Sequence, residues 1–156
     1  MFLKTVRQRH WFMMMLLVVS LANYERANAG VEFLSTSDDA VIMYDAPSLK
    51  AEKLYVATRF WPVEALVNVD GWVKVRDSSG SLAWVEQKAL SNQRYVIVTV
   101  PQAKVYQAAD VNAELVFQVQ ERVVMEWLES IVSGWVKVQH RDGQTGYIQV
   151  HQVWGS

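Results

Sequence analysis

Gly71-Trp72-Val73-Lys74-Val75-Arg76, then Gly80, then Ala83-Trp84-Val85, returns as Gly134-Trp135-Val136-Lys137-Val138-Gln139, then Gly143, then Gly146-Tyr147-Ile148. The copies lie 63 residues apart and match without a gap from the first glycine to the last aliphatic residue. A repeat of that length is a small domain present twice. Each copy reads as a β-hairpin. Val73 and Val75 alternate with Trp72, Lys74 and Arg76, which is the period of a strand. The turn cluster Asp77-Ser78-Ser79-Gly80 is matched by Arg141-Asp142-Gly143. A three-residue loop ending in glycine predicts Gly80 and Gly143 in the left-handed region. That register sets Asp77 opposite Ser81, Val75 opposite Ala83, Lys74 opposite Trp84 and Val73 opposite Val85. In the second copy Val138 faces Gly146, Lys137 faces Tyr147 and Val136 faces Ile148. One face is then apolar or small in both copies, and the other carries the aromatics and the lysine. A slip of one residue would mix the two sets.

Outward from the hairpins the repeat persists. Val41-Ile42-Met43-Tyr44 matches Ala103-Lys104-Val105-Tyr106, Lys53-Leu54-Tyr55-Val56 matches Leu115-Val116-Phe117-Gln118, and Val63-Glu64-Ala65-Leu66 matches Met125-Glu126-Trp127-Leu128, all at an offset of 62. Ala65 and Trp127 thus occupy equivalent inward positions, so the second core must pack differently. The offset grows to 63 through one extra residue in Glu129–Ser133 against Val67–Asp70, where a loop accommodates it. No stretch after Gly30 holds a helical period. Ser91-Asn92-Gln93-Arg94 is a short polar break before the strong β run Tyr95–Val100. The expected organisation is all-β, with one unit at 30–91 and another at 92–156, packed side by side. Units of roughly 60 residues are marginal alone and benefit from burial between them.

Residues 1–29 read as a secretory signal peptide. Lys4, Arg7 and Arg9 precede the apolar run Trp11–Ala22, and Ala27-Asn28-Ala29 is a small-x-small cleavage pattern before Gly30. The apolar run is short for a membrane span, although an uncleaved anchor is the competing reading. The rest of the chain holds 11 basic against 15 acidic residues, which is no footprint for nucleic acid and no basic patch for anionic lipid. There is no cysteine. That excludes a disulfide, a lipid-attachment thiol and a thiolate nucleophile. His10, His140 and His151 are not at metal-ligand spacing, and no nucleophile-elbow pattern occurs. These residues argue against an enzyme and against a metal or other cofactor.

Short strands ending in Gly-Trp-x-Lys-Val, a tight turn, then a small, an aromatic and an aliphatic residue resemble the bacterial SH3-like domain family. The likeness covers nearly all of residues 30–156 as two tandem copies, and Tyr44-Asp45-Ala46-Pro47 is similar to the family's first strand-and-turn segment. The resemblance implies two small β-barrels of about five strands in two packed sheets. It also implies a non-catalytic binding or targeting module, often for peptidoglycan or its peptides in the cell envelope. Two departures bear on loop geometry. Phe60-Trp61-Pro62 stands where a glycine-containing turn often precedes the third strand, and Ala108-Ala109 replaces Ala46-Pro47.

The candidate ligand-binding residues are Tyr44, Trp72, Lys74 and Trp84, with Tyr106, Trp135, Lys137 and Tyr147 in the second copy. Outward aromatics beside a lysine suit stacking on a peptide or sugar face, with the ammonium reaching a carboxylate. The same rings could instead cover the barrel or the contact between the two units. The first-strand tyrosines could line a groove or cap the core. Trp61 is expected beside a loop and partly exposed, and Trp154 is expected to close the second barrel. The sequence thus points to an exported, periplasmic binding protein recognising peptidoglycan or its peptides. The alternative is a protein-interaction adaptor that docks on or regulates an envelope enzyme or assembly.

Overall fold

The computed structural model describes residues 30–131 and 133–156. Residues 1–29, where a signal peptide and its cleavage site are expected, lie outside the described residues. The first copy forms β1 (Glu32–Thr36), β2 (Val41–Tyr44), β3 (Lys53–Ala57), β4 (Pro62–Val69), β5 (Trp72–Arg76), β6 (Leu82–Glu86) and β7 (Leu90–Ser91). The second forms β8 (Tyr95–Val98), β9 (Gln102–Tyr106), β10 (Leu115–Gln120), β11 (Val124–Ile131), β12 (Trp135–Gln139), β13 (Thr145–Gln149) and β14 (Val153–Trp154). The sheet orders are β3-β2-β6-β5-β4-β1-β7 and β10-β9-β13-β12-β11-β8-β14, the same topology twice. The fold is all-β with two tandem SH3-like units.

The central hairpins adopt the expected register. Val75 pairs with Ala83, Lys74 with Trp84 and Val73 with Val85, while Val138 pairs with Gly146, Lys137 with Tyr147 and Val136 with Ile148. Asp77 N–H donates to Ser81 O at 3.1 Å, and Gly80 and Gly143 take φ of 85° and 90°. The apolar face becomes the core. Val73, Val75, Ala83 and Val85 join Val41, Met43, Ala57 and Val63, and Val136, Val138 and Ile148 join Val96, Val98, Val105 and Met125.

Each copy has seven paired strands in one continuous sheet, more than the five implied by resemblance. The short closing strands account for part of the difference. After the 3-10 turns Gln87–Ala89 and Val150–Gln152, β7 and β14 make two-residue ladders on β1 and β8. Two residues are too few for any period to be read. The extra residue of the second copy sits in a turn, as expected. Val69 pairs with Trp72 across Asp70 and Gly71, whereas Ile131 pairs with Trp135 across three residues. Asp70 and Gly71 both have positive φ, 46° and 82°, which gives the two-residue connection the twist that strands favour.

The two sheets share a seam, and the Ala65–Trp127 difference is expressed there. Ala65 pairs with Val75 and Trp127 with Val138, so the positions are equivalent. The Arg94 guanidinium lies 4.1 Å from the Trp127 ring centroid and 5.7 Å from that of Phe33 on β1. One of its terminal nitrogens donates to Gly155 O at 3.0 Å. Burial pushes the Arg94 pKa below its ordinary value. Gln93 adds two links, accepting from Ser35 Oγ at its carbonyl (2.7 Å) and donating from Nε2 to Glu126 Oε1 (2.9 Å). Trp154 does more than close the second sheet: its ring also packs edge-on against Phe33 at 5.0 Å. Burial at the seam thus supplements two cores that are each small for independent stability.

Candidate functional site

Strand period places Trp72, Lys74 and Trp84 on the face opposite the valines, and the ladder β2–β6 brings Tyr44 beside Trp84. Tyr44 packs edge-on against Trp72 at 5.4 Å, and Lys74 Nζ lies 6.0 Å from the Trp84 ring centroid. The second copy repeats the arrangement. Tyr106 pairs with Tyr147 and packs edge-on against Trp135 at 5.8 Å, and Lys137 Nζ lies 5.8 Å from the Tyr147 ring. Each copy therefore gathers its four candidate residues into one aromatic face with an ammonium on it. Such a face offers flat apolar area and a positive charge to a ligand's carboxylate.

Burial separates members that can touch a ligand from members that support them. Trp72, Lys74, Trp84, Tyr106, Lys137 and Tyr147 are partly exposed. Tyr44 is 5% exposed and Trp135 7%. Tyr44 is thus part of the packed interior of the first face. Trp135, expected outward on the face opposite the core, is buried instead, since its ring takes the edge of Tyr106. The pairs exchange roles between copies: the tyrosine is buried under a partly open tryptophan in one, and the tryptophan under a partly open tyrosine in the other. Trp61 is partly exposed, as expected, with the Arg122 guanidinium 5.7 Å from its ring.

Beside Tyr44 lies a cavity of about 350 Å³, also lined by Asp38, Ile42, Glu86 and Lys88. Glu86 and Lys88 form an ion pair at 2.9 Å on its rim. These charged residues carry no motif, and only the fold brings residues 38–44 and 85–89 together. Among the described residues no three His, Asp or Glu side chains gather where they could hold a metal ion. His140 Nδ1 lies 3.0 Å from Asp142 Oδ1. The Asp142 carboxyl is lowered to about 2, first by the Gln144 backbone N–H, then by the Gln144 side chain and His140.

A family model described as bacterial SH3 domain matches residues 37–92, and a second with the same description matches 101–153. No curated protein matches. Among solved structures, NlpC2 from Trichomonas vaginalis is similar at 17% identity and a TM-score of 0.38, over 81% of this chain and 49% of that one. NlpC1 from the same organism is similar at 17% identity and a TM-score of 0.38, over 81% of this chain and 46% of that one. The chain spans about half the length of these two structures. Likeness at that level says nothing of function.

Proposed function

Because the chain belongs to the bacterial SH3 domain family, with two such domains in tandem, we propose that it is a non-catalytic binding module of the bacterial cell envelope that recognises peptidoglycan or its peptides. Its units are 30–91 and 92–156, exported by the leader at 1–29 and working in the periplasm. The observation that carries this reading is the doubled aromatic face. Lys74 with Trp84 and Lys137 with Tyr147 set the same ammonium over the same ring position, and in the second copy Lys137 Nζ also lies 3.5 Å from Glu129 Oε1. A ring beside an ammonium matches a ligand that combines sugar or peptide planes with free carboxylates.

Retention of the purified protein on isolated sacculi tests the reading. Trp72→Ala and Trp84→Ala should lower retention with a two-state melt preserved. No retention, with one protein recovered by crosslinking in the envelope fraction, would replace this reading by the adaptor. N-terminal sequencing of envelope-fraction protein should begin at Gly30, and a cytoplasmic protein starting at Met1 would defeat the export claim.

A further inference from the structure

Phe60 and Arg122 stand 62 residues apart at equivalent places, two residues before β4 and β11, and both are left-handed at φ of 68° and 69°. Each is held there by the same bond. Phe60 N–H donates to Thr36 O and Arg122 N–H to Val98 O, both at 2.9 Å. Neither is a residue that takes this conformation readily, and glycine would relax both sites. Strain retained in this way points to a use for the side chain.

Both side chains face one groove. It has a volume of about 760 Å³ and is lined from the first sheet by Arg59, Phe60 and Trp61, and from the second by Tyr95, Arg122 and Arg141, among others. That is within the range of sites for small ligands, roughly 300–1,000 Å³. Phe60 stacks on Tyr95 at 4.5 Å yet stays 40% exposed. The charges are unevenly compensated. Arg59 pairs with Asp39 at 3.3 Å and His140 with Asp142 at 3.0 Å. Glu126, also on the lining, accepts only from the neutral Gln93 amide, so its carboxylate is not ion-paired among the described residues. Among the described residues no carboxylate lies within ion-pair distance of Arg122 or Arg141, and Arg122 is steadied over the Trp61 ring. The groove therefore joins an apolar aromatic wall to two available guanidinium forks, the geometry that suits carboxylates.

We propose that this seam groove is a second binding site, independent of the envelope reading, that takes a short acidic peptide with its carboxylates on Arg122 and Arg141 and its backbone along Phe60 and Trp61. Both units must be present for it to exist, since neither sheet lines it alone.

The test is an NMR titration of the full chain with a synthetic tetrapeptide of alternating alanine and glutamate, and with its glutamine, C-terminally amidated counterpart. The acidic peptide should shift the Trp61 indole and the amides of Phe60, Arg122 and Arg141. Arg122→Gly and Arg141→Gln should each weaken binding about tenfold, the loss of one charge-assisted contact. Arg122→Gly should hold or raise the melting midpoint, because glycine accepts the left-handed backbone. Equal binding of the neutral peptide, shifts confined elsewhere, or unchanged affinity in both arginine variants would overturn the proposal. So would peptide-independent shifts that grow with protein concentration, which would assign the groove to a second copy of the chain.

Discussion

Ala83 and Gly146 face equivalent valines, but only the first has room for a methyl group. A Cβ built on Gly146 would lie 2.5 Å from Val105 Cγ1 and 2.8 Å from Tyr106 O. Elsewhere too the two barrels share a register and fill it differently. Glu64 is tied to Arg76 by a short ion pair, whereas its counterpart Glu126 pairs with Gln139 on the ladder and accepts from Gln93. Tyr55 donates to Asp77 at 3.3 Å, whereas Phe117 tilts against His140 at 5.7 Å. Backbone pairing tolerates wide change in side chains because the ladder depends on main-chain groups. Packing does not tolerate it, and each core has settled into its own solution.

The largest test of that difference is a methyl exchange. Gly146→Ala should destabilise the protein by about 3 kcal/mol, because a backbone carbonyl stands in the way and cannot turn aside. The reverse exchange, Ala83→Gly, should cost only about 1 kcal/mol. Equal midpoint shifts in thermal melts would show that the two cores are interchangeable after all.

Val75→Ala should cost about 2–3 kcal/mol through the cavity it leaves, and Val138→Ala should match it. Trp72→Ala and Trp84→Ala should cost less stability and more binding, since both rings are partly open. If the tryptophan variants melt as early as the valine variants, the aromatic face is structural cover and the site assignment fails. Because Trp135 is buried, Trp135→Ala should resemble the valine variants, and this asymmetry sharpens the contrast between copies.

Gly143→Val should destabilise by about 1 kcal/mol or more, as a β-branched residue at φ 90° is strained. Gly80→Val should do the same at φ 85°. An unchanged midpoint in either would count against equivalent turns.

The smallest effects lie in pH. Burial first, then the charge of Asp77 and its hydrogen bond, raises Tyr55 from 10.0 to about 12. The folded state then holds the proton longer, so this contribution is complete below pH 10.0 and fades as pH rises towards about 12. Asp142 has the opposite sign: lowered from 3.8 to about 2, it favours folding above pH 3.8 and loses that contribution as pH falls towards about 2. Ultraviolet titration should find a late tyrosine that disappears in Tyr55→Phe. Asp142→Asn should flatten stability only on the acid side. An alkaline change in that variant would contradict the division between copies.

Much of this protein was legible along the chain, because strand period and turn chemistry are local. Val73 and Val75 alternating with Trp72 and Lys74, and Gly80 and Gly143 at their turns, determined the hairpins, their register and the core face. Repetition at 62 and 63 residues determined that the unit occurs twice. The same alternation placed the lysine beside an aromatic in both copies. It could not say that Tyr44 and Trp135 are buried, since cover comes from neighbours on other strands. Nor could it reveal the groove at the seam. Phe60 and Trp61 are far in sequence from Tyr95, Arg122 and Arg141, and only the docking of one sheet on the other makes the two sets neighbours. Phe60 did stand out as the wrong residue for its turn, but its purpose depends on Tyr95 and Arg122. Periodicity reports the two faces of a strand, whereas the meeting of two sheets depends on shape and burial summed over the whole seam.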